Sequence, residues 1–156
     1  MHSPKVWRNF WHFLAFGFGS GLAKKAPGTW GTLVGLAFVP LLHLLPLWFA
    51  LCVIAGASVF GMWLCGRVAS DLGVHDHGGI VWDEIVGIWI TLIFLPNTWL
   101  WLALGFITFR VLDIAKPWPI SWLDRKVGGG LGIMIDDMLA GVIAAGVLYA
   151  AWFFTV

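Results

Sequence analysis

The sequence predicts an all-α fold: a polytopic membrane helix bundle with about five membrane segments and an N-terminal interfacial or re-entrant helix. Hydrophobic residues make up 60% of the 156 residues and charged residues only 11%, whereas soluble domains carry about 25% charged residues. The apolar residues form long runs, and strands cannot span a bilayer unless they close into a barrel. The length predicts a single domain, residues 1–156.

The first apolar run, residues 32–66, is too long for one membrane crossing, since one crossing needs roughly 20 residues. Pro46 divides this run, which predicts helices over about 29–45 and 47–66. Thr29 follows a Pro-Gly pair and is a candidate N-cap for the first of them. The segment before it, residues 10–23, is too short to cross, so we expect it to lie along the interface or to re-enter the membrane.

A second apolar region, residues 85–109, contains Pro96-Asn97-Thr98 in its middle and permits two interpretations. It is either one kinked span or a hairpin of two short helices. Only the hairpin places every basic residue on one side of the membrane, and such residues concentrate on the cytoplasmic side. The hairpin is therefore preferred. The basic residues are Lys5, Arg8, Lys24, Lys25, Arg67, Arg110, Lys116, Arg125 and Lys126.

The hairpin completes a five-segment topology, whose last segment covers residues 138–156. The first hairpin helix, about 83–95, is only about 20 Å long, so we expect neighbouring helices to shield it from lipid. The outer turns, near 43–47 and 96–98, carry no formal charge. All eight acids fall in the cytoplasmic loops or beside them: Asp71, Asp76, Asp83, Glu84, Asp113, Asp124, Asp136 and Asp137.

Two acidic pairs occur in similar surroundings. "GGIVWDEIVGI" (78–88) aligns with "GLGIMIDDMLAGVI" (130–143), so that Asp83 matches Asp136 and Glu84 matches Asp137. Stabilisation of helix N-termini, worth about 0.3–1 kcal/mol, would explain a single acid. Two adjacent acids, twice, beside a membrane are more typical of an interior site, since a charge at the bilayer centre costs roughly 2.5–3.5 kcal/mol.

Four carboxylates brought together repel one another, and a bound cation relieves that repulsion. Oxygen ligands favour Mg²⁺, Mn²⁺ or Ca²⁺ over zinc. His75 and His77 flank Asp76, but neither Cys nor another His is suitably placed for a closed zinc site. We therefore interpret this motif as a loop feature or as a group outside the direct ligands.

The segment "FRVLDIAKPWPI" (109–120) adds basic residues. Arg110 and Asp113 are three residues apart and share a helix face, and the helix should end at Lys116-Pro117. This pair is either an internal salt bridge or part of a phosphate site. The candidate phosphate-binding residues are Arg110, Lys116, Lys25 and Arg125. Glycines at 128–130 and 132 suit either anion approach or close helix packing.

These residues exclude several classes of function. The net charge of +1 gives no indication of a nucleic-acid partner. The sequence lacks a Cys-x₅-Arg loop, a D-x-D pair and a Ser-His-Asp arrangement, which leaves metal-assisted attack by water on a phosphate ester. The alternatives are a small transporter or ion pathway, which needs polar groups across the membrane depth, and a structural membrane subunit, which needs no repeated acidic pair.

The chain closely resembles the phosphatidylglycerophosphatase A family of bacterial membrane phosphatases. The resemblance is carried by "GFGSGLAKKAPGTWGTL" (17–33), "HDHGGIVWDEIVGIWIT" (75–91), "FRVLDIAKPWPI" (109–120) and "GGLGIMIDDMLAGVI" (129–143). It implies Mg²⁺-dependent hydrolysis of phosphatidylglycerol phosphate to phosphatidylglycerol and phosphate, in acidic phospholipid synthesis that includes the cardiolipin precursor. It also implies a multi-pass protein of the bacterial inner membrane. The predicted partners are thus a phospholipid substrate and the membrane.

The resemblance also implies which residues act. The acidic motifs of the family fall on Asp83, Glu84, Asp113, Asp136 and Asp137, and its basic position falls on Arg110 and Lys116. We expect Asp83, Glu84, Asp136 and Asp137 to hold Mg²⁺, directly or through water. We expect Asp113 to orient Arg110 or to act as general base.

Overall fold

The computed structural model describes residues 3–156 and is all-helical over that range. Seven α-helices and one 3₁₀ turn, Ser20–Leu22, follow in chain order. The helices are α1 (Phe10–Ala15), α2 (Pro27–His43), α3 (Leu47–Leu72), α4 (Trp82–Leu92), α5 (Trp99–Ala115), α6 (Ile120–Lys126) and α7 (Gly129–Phe153). The predicted all-α class is confirmed.

The number of membrane helices is lower than the five predicted. In the described range, only α3 and α7 are long and apolar enough to cross a membrane by themselves. Helices α2 and α5 have 17 residues each and α4 has 11, which is short of the roughly 20 that a lone crossing needs. Apolar composition alone could not reveal these lengths, because the turns between the helices are apolar too.

Helix α4 lies inside the bundle, as its short length predicted. It packs against α2, α3, α5 and α7, and its segment Ile85–Ile88 is buried. Glycines allow the close approach to α7: a Cβ on Gly141 would lie only 2.6 Å from the Gly87 carbonyl oxygen. Neighbouring helices therefore replace lipid around α4.

Helices α4 and α5 form the predicted hairpin. The side chain of Leu92 lies against Gly105, and Phe109 lies against Gly87, so the two helices run antiparallel. The chain turns between them over residues 93–98. The start of α4 and the end of α5 consequently lie at the same end of the bundle.

Two helix starts differ from the sequence prediction. Helix α2 begins at Pro27, and Thr29 lies inside it rather than at the cap; proline suits a first helical position because its fixed φ is helical and it needs no hydrogen-bond acceptor. Helix α7 begins at Gly129, nine residues before the predicted 138. The polar pair Asp136-Asp137 lies within the helix because neighbouring helices cover it.

Candidate active site

Three helices bring five carboxylates together at one end of the bundle. Asp83 and Glu84 lie in the first turn of α4 and Asp113 in the last turn of α5. Asp136 and Asp137 lie in the third turn of α7. The four aspartates are buried and Glu84 is partly buried. Each of these residues was a predicted site residue, and the fold brings them all into one cluster.

The cluster contains two groups of oxygens with the spacing of a cation site. One group comes from Asp83, Asp136 and Asp137, and the other from Glu84, Asp113 and Asp137. Within each group the oxygens lie within 4.8 Å of one another. Asp137 belongs to both groups, and it is only 2% exposed.

Several polar atoms of the cluster are buried without any hydrogen-bond partner in the described part of the chain. They are Asp83 Oδ1, Glu84 Oε2, Asp136 Oδ1, Asp137 Oδ2 and Arg110 Nε. Buried polar groups are nearly always hydrogen-bonded, and an exception calls for an explanation such as an ion. A hard divalent cation, which binds carboxylate oxygens, fits the four unpartnered carboxylate oxygens of this set.

Arg110 and Asp113 form the predicted ion pair between Arg110 Nη1 and Asp113 Oδ2. Both side chains are largely buried, at 13% and 9% exposure. The start of α2 lies beside them and forms one wall of the site. A Cβ on Gly28 would lie 2.9 Å from Glu84 Oε1 and 3.1 Å from Arg110 Nη1, so a side chain there would displace one of these two groups.

Lys116 joins two acids that are far apart in sequence. Its Nζ donates to Asp136 Oδ2 at 2.7 Å and to Asp124 Oδ1 at 3.1 Å. Helix α5 ends at Ala115, as predicted, and Lys116 follows with a left-handed φ of 46°. Burial lowers the pKa of the Lys116 ammonium, but hydrogen bonds and charges from Asp136 and Asp124 outweigh it, so the net pKa is raised. Lys116 is therefore a cation that holds Asp136.

The other two predicted phosphate ligands are not held in the cluster. Lys25 lies in the exposed segment before α2, and Arg125 lies on the exposed side of α6. Within residues 3–156, neither forms a salt bridge with a carboxylate. Both lie on segments next to the site, so a role in phosphate binding stays a prediction.

The His75-Asp76-His77 segment belongs to the loop before α4, outside the two oxygen groups. His77 Nδ1 accepts a hydrogen bond from the Gly79 amide at 2.9 Å, and its ring packs against Phe16. The pKa of the Asp76 carboxyl is raised, mainly because its surroundings remove water. This geometry agrees with the interpretation as a loop feature.

Gly130, at the start of α7, allows close helix packing, because a Cβ on it would overlap the Met62 carbonyl oxygen of α3. A Cβ on Gly132 would overlap the Val127 carbonyl oxygen in the turn just before α7. For Gly130, the structure therefore supports close packing over anion approach.

Comparison with known proteins places these motifs in one family. The sequence model described as Phosphatidylglycerophosphatase A matches residues 13–152. Phosphatidylglycerophosphatase A of Escherichia coli (strain K12) is 57% identical over 144 residues, which cover 90% of this chain and 83% of that protein. Phosphatidylglycerophosphatase A of Haemophilus influenzae is 49% identical over 141 residues, which cover 89% and 86%. No solved structure gives a significant match.

Proposed function

The chain belongs to the phosphatidylglycerophosphatase A family, and we propose that its carboxylate cluster is the site of Mg²⁺-dependent phosphatidylglycerol phosphate hydrolysis. Family membership makes the chain a phosphoric monoester hydrolase. The observation that supports placing the reaction at this cluster is the set of buried, unpartnered carboxylate oxygens beside Arg110. These oxygens suit a divalent cation, and Arg110 suits a phosphate.

The residues of the cluster have different roles, which follow from their chemistry. Asp83, Glu84, Asp136 and Asp137 would hold Mg²⁺, which supplies charge neutralisation and lowers the pKa of bound water. Arg110 would bind the phosphate oxygens through its planar guanidinium, whose orientation is fixed by the ion pair with Asp113. This supports the orienting role for Asp113 over that of general base.

The reaction breaks one bond of the phosphate monoester. The oxygen of a water molecule forms a new bond to phosphorus, and the bond from phosphorus to the glycerol oxygen breaks. The water supplies a proton to that oxygen, which leaves phosphatidylglycerol and inorganic phosphate. We propose that this step belongs to acidic phospholipid synthesis.

The two apolar helices and the lipid phosphatase family indicate a membrane protein. We propose further that it is a multi-pass inner-membrane protein with the cluster on the cytoplasmic side, because all nine Lys and Arg lie at that end in the predicted topology. A cysteine placed at the exposed Asn97 should then react with an impermeant thiol reagent from outside the cell, and one at the exposed Gly129 should not. Labelling only at residue 129 would show that the topology is the reverse of the one proposed.

Phosphate release from defined lipid phosphates tests the proposal. The purified chain should release phosphate from phosphatidylglycerol phosphate with Mg²⁺ and lose that activity when a chelator removes the ion. Release that continues at the same rate in the chelator would contradict the metal-dependent mechanism. The transporter alternative is disfavoured, since the carboxylates gather at one end of the bundle and the far end is apolar around residues 42–50 and 93–96.

A further inference from the structure

We propose that the cluster holds two divalent cations, with Asp137 as the ligand that they share. Asp83 and Asp136 complete one site, and Glu84 and Asp113 complete the other. This inference rests on the proposed metal-dependent function and specifies how many ions the site takes and which residues hold each one.

The spacing of the oxygens supports two sites around one shared carboxylate. Oxygens bound to one Mg²⁺ lie at most about 4.2 Å apart, because each is about 2.1 Å from the ion. The oxygens of each group already lie within 4.8 Å of one another. A movement of less than about 1 Å would therefore close either group on an ion. Asp83 and Glu84 are adjacent on α4, so their side chains point in directions about 100° apart and reach different groups.

The two groups are built alike. Each contains one carboxylate that a basic residue holds: Lys116 donates to Asp136 in the first group, and Arg110 donates to Asp113 in the second. Each also contains a carboxylate that forms no salt bridge in the described residues, Asp83 or Glu84. Each basic residue holds one oxygen of its partner, Asp136 Oδ2 or Asp113 Oδ2, so the second oxygen of each carboxylate would be the one that binds an ion.

The buried oxygens without partners are shared between both groups, and this is a separate observation from the clustering. Asp83 Oδ1 and Asp136 Oδ1 belong to residues of the first group, and Glu84 Oε2 to a residue of the second. Asp137 Oδ2, on the shared residue, is also unpartnered. Asp83, Asp136 and Asp137 are each more than nine-tenths buried. One ion at either group would leave buried oxygens of the other unsatisfied.

The charges of the cluster also indicate two divalent cations. Lys116 is shared with Asp124, so six carboxylates against Arg110 and Lys116 leave four uncompensated negative charges. One divalent ion would leave the site negative and repel a phosphate dianion. Two divalent ions neutralise the site and remove that repulsion. In other phosphatases, two metal ions about 3.5–4 Å apart contact both the attacking and the leaving oxygen.

Mn²⁺ is a suitable probe, because it prefers the same oxygen ligands and is visible by electron paramagnetic resonance. We expect the purified full-length chain in detergent to bind two Mn²⁺ in equilibrium dialysis. The bound pair should give an exchange-coupled spectrum rather than that of isolated ions. One Mn²⁺ per chain, with an isolated-ion spectrum at saturation, would overturn the inference.

Glu84→Gln and a matched control sharpen the test. Glu84→Gln should reduce the stoichiometry from two ions to one and replace the coupled spectrum by an isolated one. Asp71→Asn, which removes an acid that pairs with His12 outside the cluster, should retain both ions. Two coupled ions in Glu84→Gln would contradict the assignment. If Glu84→Gln does not fold, as judged by its helical circular dichroism, the number of Mn²⁺ ions bound by the wild-type chain tests the two-ion site by itself.

The outcomes separate this inference from the proposed function. Two bound Mn²⁺ without phosphate release from phosphatidylglycerol phosphate would retire the proposed function and keep the two-ion site. A single bound ion with full phosphatase activity would retire the two-ion site and keep the proposed function.

Discussion

The two acidic pairs look alike in the sequence and occupy different places in their helices. Asp83 and Glu84 lie in the first turn of α4, where the helix dipole stabilises acids. Asp136 lies seven residues after the start of α7, about 10 Å along the helix axis. The dipole effect is confined to the first turn. Helix capping can therefore account for the first pair only, and the second pair must have another reason to be acidic.

The pairs also differ in their cationic partners. Asp136 has Lys116 at 2.7 Å, whereas neither Asp83 nor Glu84 forms a salt bridge within residues 3–156. Breaking a buried pair by removing one partner costs about 3–5 kcal/mol, which indicates how unfavourable an uncompensated acid is in such a place. The α4 pair therefore depends on a bound cation more completely than the α7 pair does.

The largest effect is expected when either pair loses an aspartate. Asp83→Asn and Asp136→Asn should each reduce phosphatase activity by at least about 100-fold, because each removes a charged ligand from a cation worth several kcal/mol to the reaction. Phosphate release and membrane recovery of each variant check this. Wild-type turnover in both variants would show that the pairs do not form a metal site.

Arg110 should give the next largest effect, because it lies on the Glu84 side of the cluster. Arg110→Lys keeps the charge and loses the planar fork. If the guanidinium binds phosphate, losing that contact costs about 1.5–3 kcal/mol, or roughly 10- to 150-fold in kcat/KM. Arg67→Lys is the matched control, since Arg67 is exposed and its guanidinium lies over the Trp63 ring. Unchanged kinetics in Arg110→Lys would make Arg110 a structural residue.

A smaller effect is expected at Gly28, which touches the first pair and not the second. Gly28→Ala places a methyl group 2.9 Å from Glu84 Oε1, and overpacking typically costs about 1–3 kcal/mol. Because the atoms that the new methyl group meets end flexible side chains, we expect the low end of this range, about 1 kcal/mol or roughly a 5-fold loss of activity. Gly56→Ala serves as control, because no atom lies within 4 Å of its added Cβ. Equal losses in the two variants would show that the effect of Gly28→Ala is not local to the site.

Local spacing predicted those parts of the site that lie within one helix or one turn. The i,i+3 spacing gave the Arg110–Asp113 pair, and Lys116-Pro117 gave the end of α5. The hairpin was predicted because only it places every Lys and Arg on one side of the membrane. It brings Asp113 to the same end of the bundle as Glu84. These relations depend on helix geometry and on membrane electrostatics, both of which are visible in a single sequence.

The contacts between helices could not be predicted in the same way. Nothing in local spacing reveals that Asp113 shares an oxygen group with Glu84 and Asp137, or that Gly28 closes the wall beside them. Lys116 was predicted to bind phosphate, and the structure pairs it with Asp136 and Asp124. Such pairings depend on how α5 and α6 pack against α7, and these contacts join residues that are distant in the chain.

The measurement that tests the account most directly is a double-mutant cycle between the two acidic pairs. Phosphate release with Mg²⁺ would be measured for the wild type, Asp83→Asn, Asp136→Asn and the double variant. Residues that act as one unit give strongly non-additive losses. If both aspartates hold the same cation, the double variant should be about as inactive as either single variant. Losses that multiply, as for two independent sites, would contradict the claim that the pairs from α4 and α7 form one catalytic metal site.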